Sequence, residues 1–193
     1  MEIKKEIVKQ IQDSIELKKW LQGEAKTLIS IAGRISTAVR NGNQIFLFGN
    51  GGSAADAQHM ACELAGKFYR DRDPIPATAL STNTSSLTAI GNDYGFDEIF
   101  ARQVSGLVKK GDIVIGISTS GQSPNVIKGI KAARKLKAVT VVLTGKEAKL
   151  AGLADIALCI PSKDTPRIQE AHITAGHIIC YLVEAALFEK KSK

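Results

Sequence analysis

Apolar positions along this chain change their spacing near residue 43, and that change divides the sequence. Before it, apolar residues recur at helical intervals. In IVKQIQDSIELKKWLQ the side chains of Ile7, Val8, Ile11 and Ile15 fall on one stripe, and Leu21 stays near it. Leu17 and Trp20 drift off the stripe, which leaves them free to pack on something else. LISIAGRISTAV gives a second amphipathic helix that stops at Asn41-Gly42. Such a helical pair, residues 1–42, ahead of the first strand predicts a packing or oligomerisation surface.

Beyond residue 43 the apolar runs are short, mostly β-branched and bounded by turn residues: QIFLFG, PATAL, DIVIGIS, AVTVVL and DIALCI. Helix-patterned stretches separate them, at 54–66, in parts of 84–108, at 124–136, in a short piece near 147–152 and from about 167 to 189. Fully apolar strands alternating with helices imply a parallel sheet covered on both faces. The expectation is an α/β fold: a three-layer α/β/α sandwich with five parallel strands in a flavodoxin-like order. Ligands of such sheets sit beyond the carboxyl ends of the strands, so the loops that follow the strands carry the chemistry.

Composition narrows the class. With 193 residues, 44% of them hydrophobic, the chain suits one buried domain over 1–193, and no linker divides it. No apolar run approaches twenty residues, which argues against a membrane span, and the polar start MEIKKEIVKQ does not resemble a signal peptide. Cys62, Cys159 and Cys180 have no paired spacing and read as reduced thiols of a cytoplasmic protein. The net charge of +7 is spread along the chain, and aromatic residues are only 5%, so a solvated surface is expected rather than a nucleic-acid interface. A phosphorylated metabolite remains as an anionic partner.

Two loops suit a phosphate. After the first strand comes Gly49-Asn50-Gly51-Gly52-Ser53, whose glycines let backbone N–H groups turn toward one anion at the start of a helix. The pattern also matches a weak dinucleotide fingerprint, but that needs an acid at the end of the second strand, and PATALSTNTSS has none. After the third strand, STSGQSPNV places the hydroxyls of Ser118, Thr119, Ser120 and Ser123 around Gly121. Ser123 reads as an N-cap and Pro124 as the first helical residue.

A polar constellation lies nearby. His59 and Glu63 are four apart on the helix leaving the glycine loop and share its face. A second cluster, RIQEAHITAGH, opens the last helix with Gln169, His172 and His177. Gln169 and His177 are eight apart, so their Cα atoms are about 12 Å apart and rotated by roughly 80°. They could only just meet at one metal, with His59 and Glu63 entering from the side, from this chain or from another subunit. His, Glu, Gln and His fit a borderline divalent ion such as Zn²⁺, although glutamine is a poor zinc ligand. Cys62 lies near the His59 face as a softer alternative, and His172 reads as structural.

Together GNGGSAADAQHMACEL, IGNDYGFDEIF, GISTSGQSPNVI and RIQEAH…H resemble the phosphoheptose isomerase family of the sugar isomerase (SIS) domain superfamily, over nearly the whole chain. The resemblance implies a flavodoxin-like SIS fold, a homotetramer with sites at subunit interfaces, and one Zn²⁺ per site. It implies an ene-diol isomerisation of D-sedoheptulose 7-phosphate to D-glycero-D-manno-heptose 7-phosphate. Carried over by matching motif, Asn50, Gly51, Gly52, Ser53, Asn92, Asp93, Ser118, Thr119, Ser120 and Ser123 would bind substrate. His59, Glu63, Gln169 and His177 would hold zinc, with Glu63 and His177 as the acid/base pair and Glu63 and Gln169 also touching substrate. Some members carry an aspartate where this chain has Pro166, so any role for an acid there lapses. The rival is a non-catalytic SIS phosphosugar-binding protein that associates with the replication initiator. Such proteins lack the glutamate and final histidine that this chain keeps.

Overall fold

Strands β1 (Ile45–Gly49) and β3 (Ile113–Ser118) are buried at every residue, as their unbroken apolar runs require. The structure is a computed structural model that describes residues 2–146 and 149–189. Around those strands the chain runs α1 (Glu2–Gly23), α2 (Ala25–Arg40), β1, α3 (Gly52–Ala65), β2 (Ala77–Ala79), α4 (Thr84–Tyr94), α5 (Ile99–Leu107) and β3. It continues with α6 (Pro124–Lys135), β4 (Val139–Gly145), β5 (Ile156–Ile160) and α7 (Thr165–Phe188). The sheet order is β2-β1-β3-β4-β5 with every pair parallel, the flavodoxin-like order expected.

Side-chain alternation sorts the core into two layers. Ile45, Leu47, Ile113, Ile115, Ile117, Val141 and Leu143 pack with α2, α3 and α7. Phe46, Phe48, Val114 and Val142 face the other way, onto α5 and α6. Phe48 stacks on Phe100 of α5 with ring centroids 4.8 Å apart, the largest anchor of that second layer. Truncating either ring would cost about 3–5 kcal/mol.

β1 and β3 are neighbours, yet the chain leaves β1 toward β2 on one side and β3 toward β4 on the other. Their carboxyl ends therefore flank the crevice where strand order reverses, and the glycine and serine loops emerge there side by side. Gly49 pairs with Ile117 across this end of the sheet.

The N-terminal helices form where the periodicity places them, and α2 stops at Asn41 before Gly42 with its φ of +79°. On α1 only Leu21 is buried. Leu17 and Trp20, the two off-stripe residues, are the ones that rest on the α7 layer, while Ile7, Val8, Ile11 and Ile15 stay open at 41–58% exposure. The stripe thus faces away from its own subunit.

Two sequence expectations shift. The helical piece near 147–152 is a 3-10 turn at Ala151–Leu153, and residues 147 and 148 lie outside the described residues. Among the described residues α7 is long and apolar enough to cross a membrane by length and composition, contrary to the count of apolar runs. Its apolar residues serve instead to bury Ile168, Ala171, Ala175, Ile179 and Val183 against the sheet layer.

Candidate active site

The glycine loop is held by close backbone contact. A side chain at Gly49 would stand 2.7 Å from the Ser53 carbonyl oxygen and 2.8 Å from that of Ile117, so only glycine lets the chain turn out of β1 there. Gly51 takes φ +54° immediately before α3, and Gly52 opens the helix. The amide end of α3 therefore faces the crevice.

The second loop is an internally bonded hydroxyl cluster. Ser118 Oγ lies 3.0 Å from Ser123 Oγ and accepts the Gly121 N–H, while Ser120 Oγ accepts the Gln122 N–H. Ser123 stands at the N-cap position of α6 with Pro124 next, as expected, but its hydroxyl is turned to Ser118 rather than to the helix. The two loops are stapled to each other: Asn50 and buried Asn125 exchange amide hydrogen bonds of 2.9 Å in both directions. Asn125 was not legible as a site residue, because an asparagine after proline in a first helical turn reads as ordinary capping.

The helices α3 and α7 run side by side in the same direction, and their seam collects the polar residues. At one end the Gln169 side chain covers Gly52 so closely that any Cβ there would collide with its amide. Further along, His177 Nε2 lies 2.9 Å from His59 Nε2, and His59 Nε2 lies 3.2 Å from Glu63 Oε1. Gly176 lets Met60 pack against the α7 backbone just below. Cys180, beneath the cluster, has its thiol pushed up to about 12 by burial and then by Glu63, and it is not one of the three converging donors.

Three of the four expected metal-ligating residues, His59, Glu63 and His177, thus meet within one chain, with no second subunit needed to bring them together. Gln169 lies just over two helical turns back from His177, about 12 Å along the helix axis, over the glycine loop. Cys62 is exposed and outside this group of three. His172 is fully buried, and its Nε2 donates to the Thr144 carbonyl of β4 at 3.3 Å, a structural position. Asn92 and Asp93 end α4, exposed, with Asn92 donating to Asp93 at 2.8 Å. Asp56, three residues before His59, lies half-buried with one carboxylate oxygen unpartnered. Burial raises its pKa to about 6, and His59 opposes the rise. Its spacing from His59 was the signal that could have flagged it.

The donor set fits a metal. Two imidazole nitrogens and one carboxylate oxygen lie within 4.8 Å of one another. Tetrahedral zinc with bonds of ~2.1 Å needs donors ~3.4 Å apart, so the observed 2.9 and 3.2 Å separations need to open by only a few tenths of an ångström. Two nitrogens and an oxygen would leave a fourth position for water or substrate.

Comparison with known proteins points the same way as the geometry. The family model described as SIS domain matches residues 9–145. The chain is 52% identical over 188 residues to the phosphoheptose isomerase of Aquifex aeolicus, covering 96% of this chain and 98% of that one. Its fold superposes on the phosphoheptose isomerase structure from Neisseria gonorrhoeae with a TM-score of 0.90 at 39% identity, covering 95% and 99% of the two chains. The phosphoheptose isomerase from Francisella tularensis gives a TM-score of 0.90 at 33% identity, covering 95% and 98%.

Proposed function

The chain belongs to the phosphoheptose isomerase family of SIS-domain proteins, and on that premise we propose that it converts D-sedoheptulose 7-phosphate to D-glycero-D-manno-heptose 7-phosphate. This would be the first step of bacterial nucleotide-activated heptose synthesis. The observation that carries the proposal is the convergence of His59, Glu63 and His177 on a helix seam that starts at the glycine loop.

The reaction moves one proton between adjacent carbons and another between their oxygens. Glu63 is the group to take the proton from C1 of the ketose and return it to C2 of the enediol. His177 is the group to carry the hydroxyl proton between O1 and O2, so no net charge or redox change is left behind. Ser118, Thr119, Ser120 and Ser123, with Asn50, Gly51, Gly52 and Ser53, hold the distant phosphate, and that grip orients the reacting carbons. Asn92, Asp93 and Gln169 complete the substrate contacts. His59, Glu63 and His177 would hold one Zn²⁺, while Gln169, whose amide lies over Gly52 eight residues back along α7, stays with the substrate contacts rather than with the ion. When bound, the ion would stabilise negative charge on the enediolate oxygens.

The working form is a homotetramer with interfacial sites, in which residues 1–42 supply contact surface. The open α1 stripe and α4, which buries none of its residues in the single chain, support that assembly. The three free cysteines support a reducing, cytoplasmic setting. Nothing favours the non-catalytic adaptor, since both Glu63 and His177 are present and adjacent to His59. Incubation of purified protein with sedoheptulose 7-phosphate, followed by ¹³C NMR, tests the proposal: the aldose should accumulate, and an unchanged ketose would overturn it.

A further inference from the structure

Arg72 comes from the loop between α3 and β2, yet its side chain is only 2% exposed. Helix α3 has no basic residue in its last turn, and the Arg72 guanidinium takes that place. Nη2 donates to the carbonyl of Glu63 at 3.0 Å. Nη1 donates to the carbonyls of Leu64, Gly66 and Asp73 at 2.9–3.1 Å. Nε donates to Glu184 Oε1 at 3.0 Å, and the Glu184 side chain is 1% exposed. Its other oxygen accepts the amides of Tyr69 and Arg70 at 3.1 and 3.2 Å. No polar atom of the pair lacks a partner, which is what a buried ion pair needs to persist.

The pair spans the two helices of the seam. Glu63 puts its carboxylate into the cluster and its own carbonyl onto Arg72. Glu184 lies two turns beyond His177 on α7. The loop that Glu184 holds also carries Phe68, whose ring centroid is 5.9 Å from that of His177.

We infer that Arg72 and Glu184 are positioning residues that fix Glu63 relative to His177 and lay Phe68 beside the His177 ring. The inference rests on reading His59, Glu63 and His177 as the active site. It requires arginine specifically: only a planar fork can serve four carbonyls and a carboxylate together, whereas lysine is a point charge.

Arg72→Lys keeps the charge and removes the fork, and Glu184→Gln keeps the shape and removes the charge. In each folded variant kcat should fall about tenfold or more with KM within about twofold, and Zn²⁺ affinity by chelator competition should fall about tenfold. A purely structural pair would lower Tm and leave kcat and metal affinity at wild-type values, which would overturn the inference. Ring-proton NOEs between Phe68 and His177 need neither turnover nor metal. They should be present in wild type and lost in both variants, and their survival would also overturn it. Wild-type protein that keeps the NOE but does not turn over sedoheptulose 7-phosphate would fail the isomerase reading alone. If Arg72→Lys does not fold, the same readouts on Glu184→Gln decide.

Discussion

His59 and His177 turn their Nε2 atoms toward each other at 2.9 Å, although 118 residues of chain separate them. Two imidazole nitrogens at that distance either share one proton or present both lone pairs to a cation. Glu63 on the same side favours the cation. A chelator should therefore abolish isomerase activity, and added Zn²⁺ should restore it. Because the imidazoles must be deprotonated to bind, metal affinity should weaken as pH falls. Activity indifferent to chelation, measured on protein shown to be metal-free, would mean that Glu63 and His177 work without an ion.

The serine loop should act on binding more than on chemistry. Ser120 is exposed at the crevice, with its hydroxyl accepting the Gln122 N–H of its own loop. Losing one hydrogen bond to a charged phosphate costs about 1.5–3 kcal/mol, so Ser120→Ala should raise KM roughly tenfold or more and change kcat little. Steady-state kinetics check this, and an unchanged KM would put the phosphate elsewhere.

Stability should fall in mild acid through His172. Its burial lowers the ring pKa from 6.5 to about 4, against the opposing hydrogen bond to Thr144. A base with a depressed folded pKa contributes stability that is complete above 6.5 and is lost as pH falls through the window down to about 4. The loss should be about 3 kcal/mol. Denaturant melts across that range should show it, and His172→Gln, which keeps a donor for Thr144 but does not titrate, should flatten the slope.

The open stripe on α1 should be covered in solution. Replacing Ile7 and Ile11 with lysine should dissociate the assembly, since each isoleucine removed from an apolar interface forfeits about 1.5–3 kcal/mol. Light scattering after gel filtration would detect the change. A double variant with wild-type mass would place the interface elsewhere.

The layers of the fold and the placement of its loops could be read from the sequence because burial imposes period. Ile113–Ser118 has no polar break, which only a doubly covered strand tolerates, and the glycines after Phe48 mark its exit. His59, Glu63 and His177 were legible as residues, and what was not legible was that a single chain unites them. That depends on α3 and α7 running parallel, with Gly176 admitting Met60, a register no local pattern encodes. Arg72 and Glu184 escaped notice for a related reason. A charged residue in a loop and another late in an apolar helix each look like solvated surface until the fold buries them together.

In the proposed reaction the Glu63 carboxylate transfers the carbon-bound proton of a phosphorylated ketose. Incubation with sedoheptulose 7-phosphate in D₂O, followed by ¹H NMR, reads that transfer. Wild type should yield aldose, with deuterium at C2 in the fraction of turnovers in which the Glu63 carboxyl exchanges with solvent before it reprotonates the enediol, while folded Glu63→Gln should turn over at least about 10²-fold more slowly. Aldose formed by Glu63→Gln at the wild-type rate would contradict the assignment.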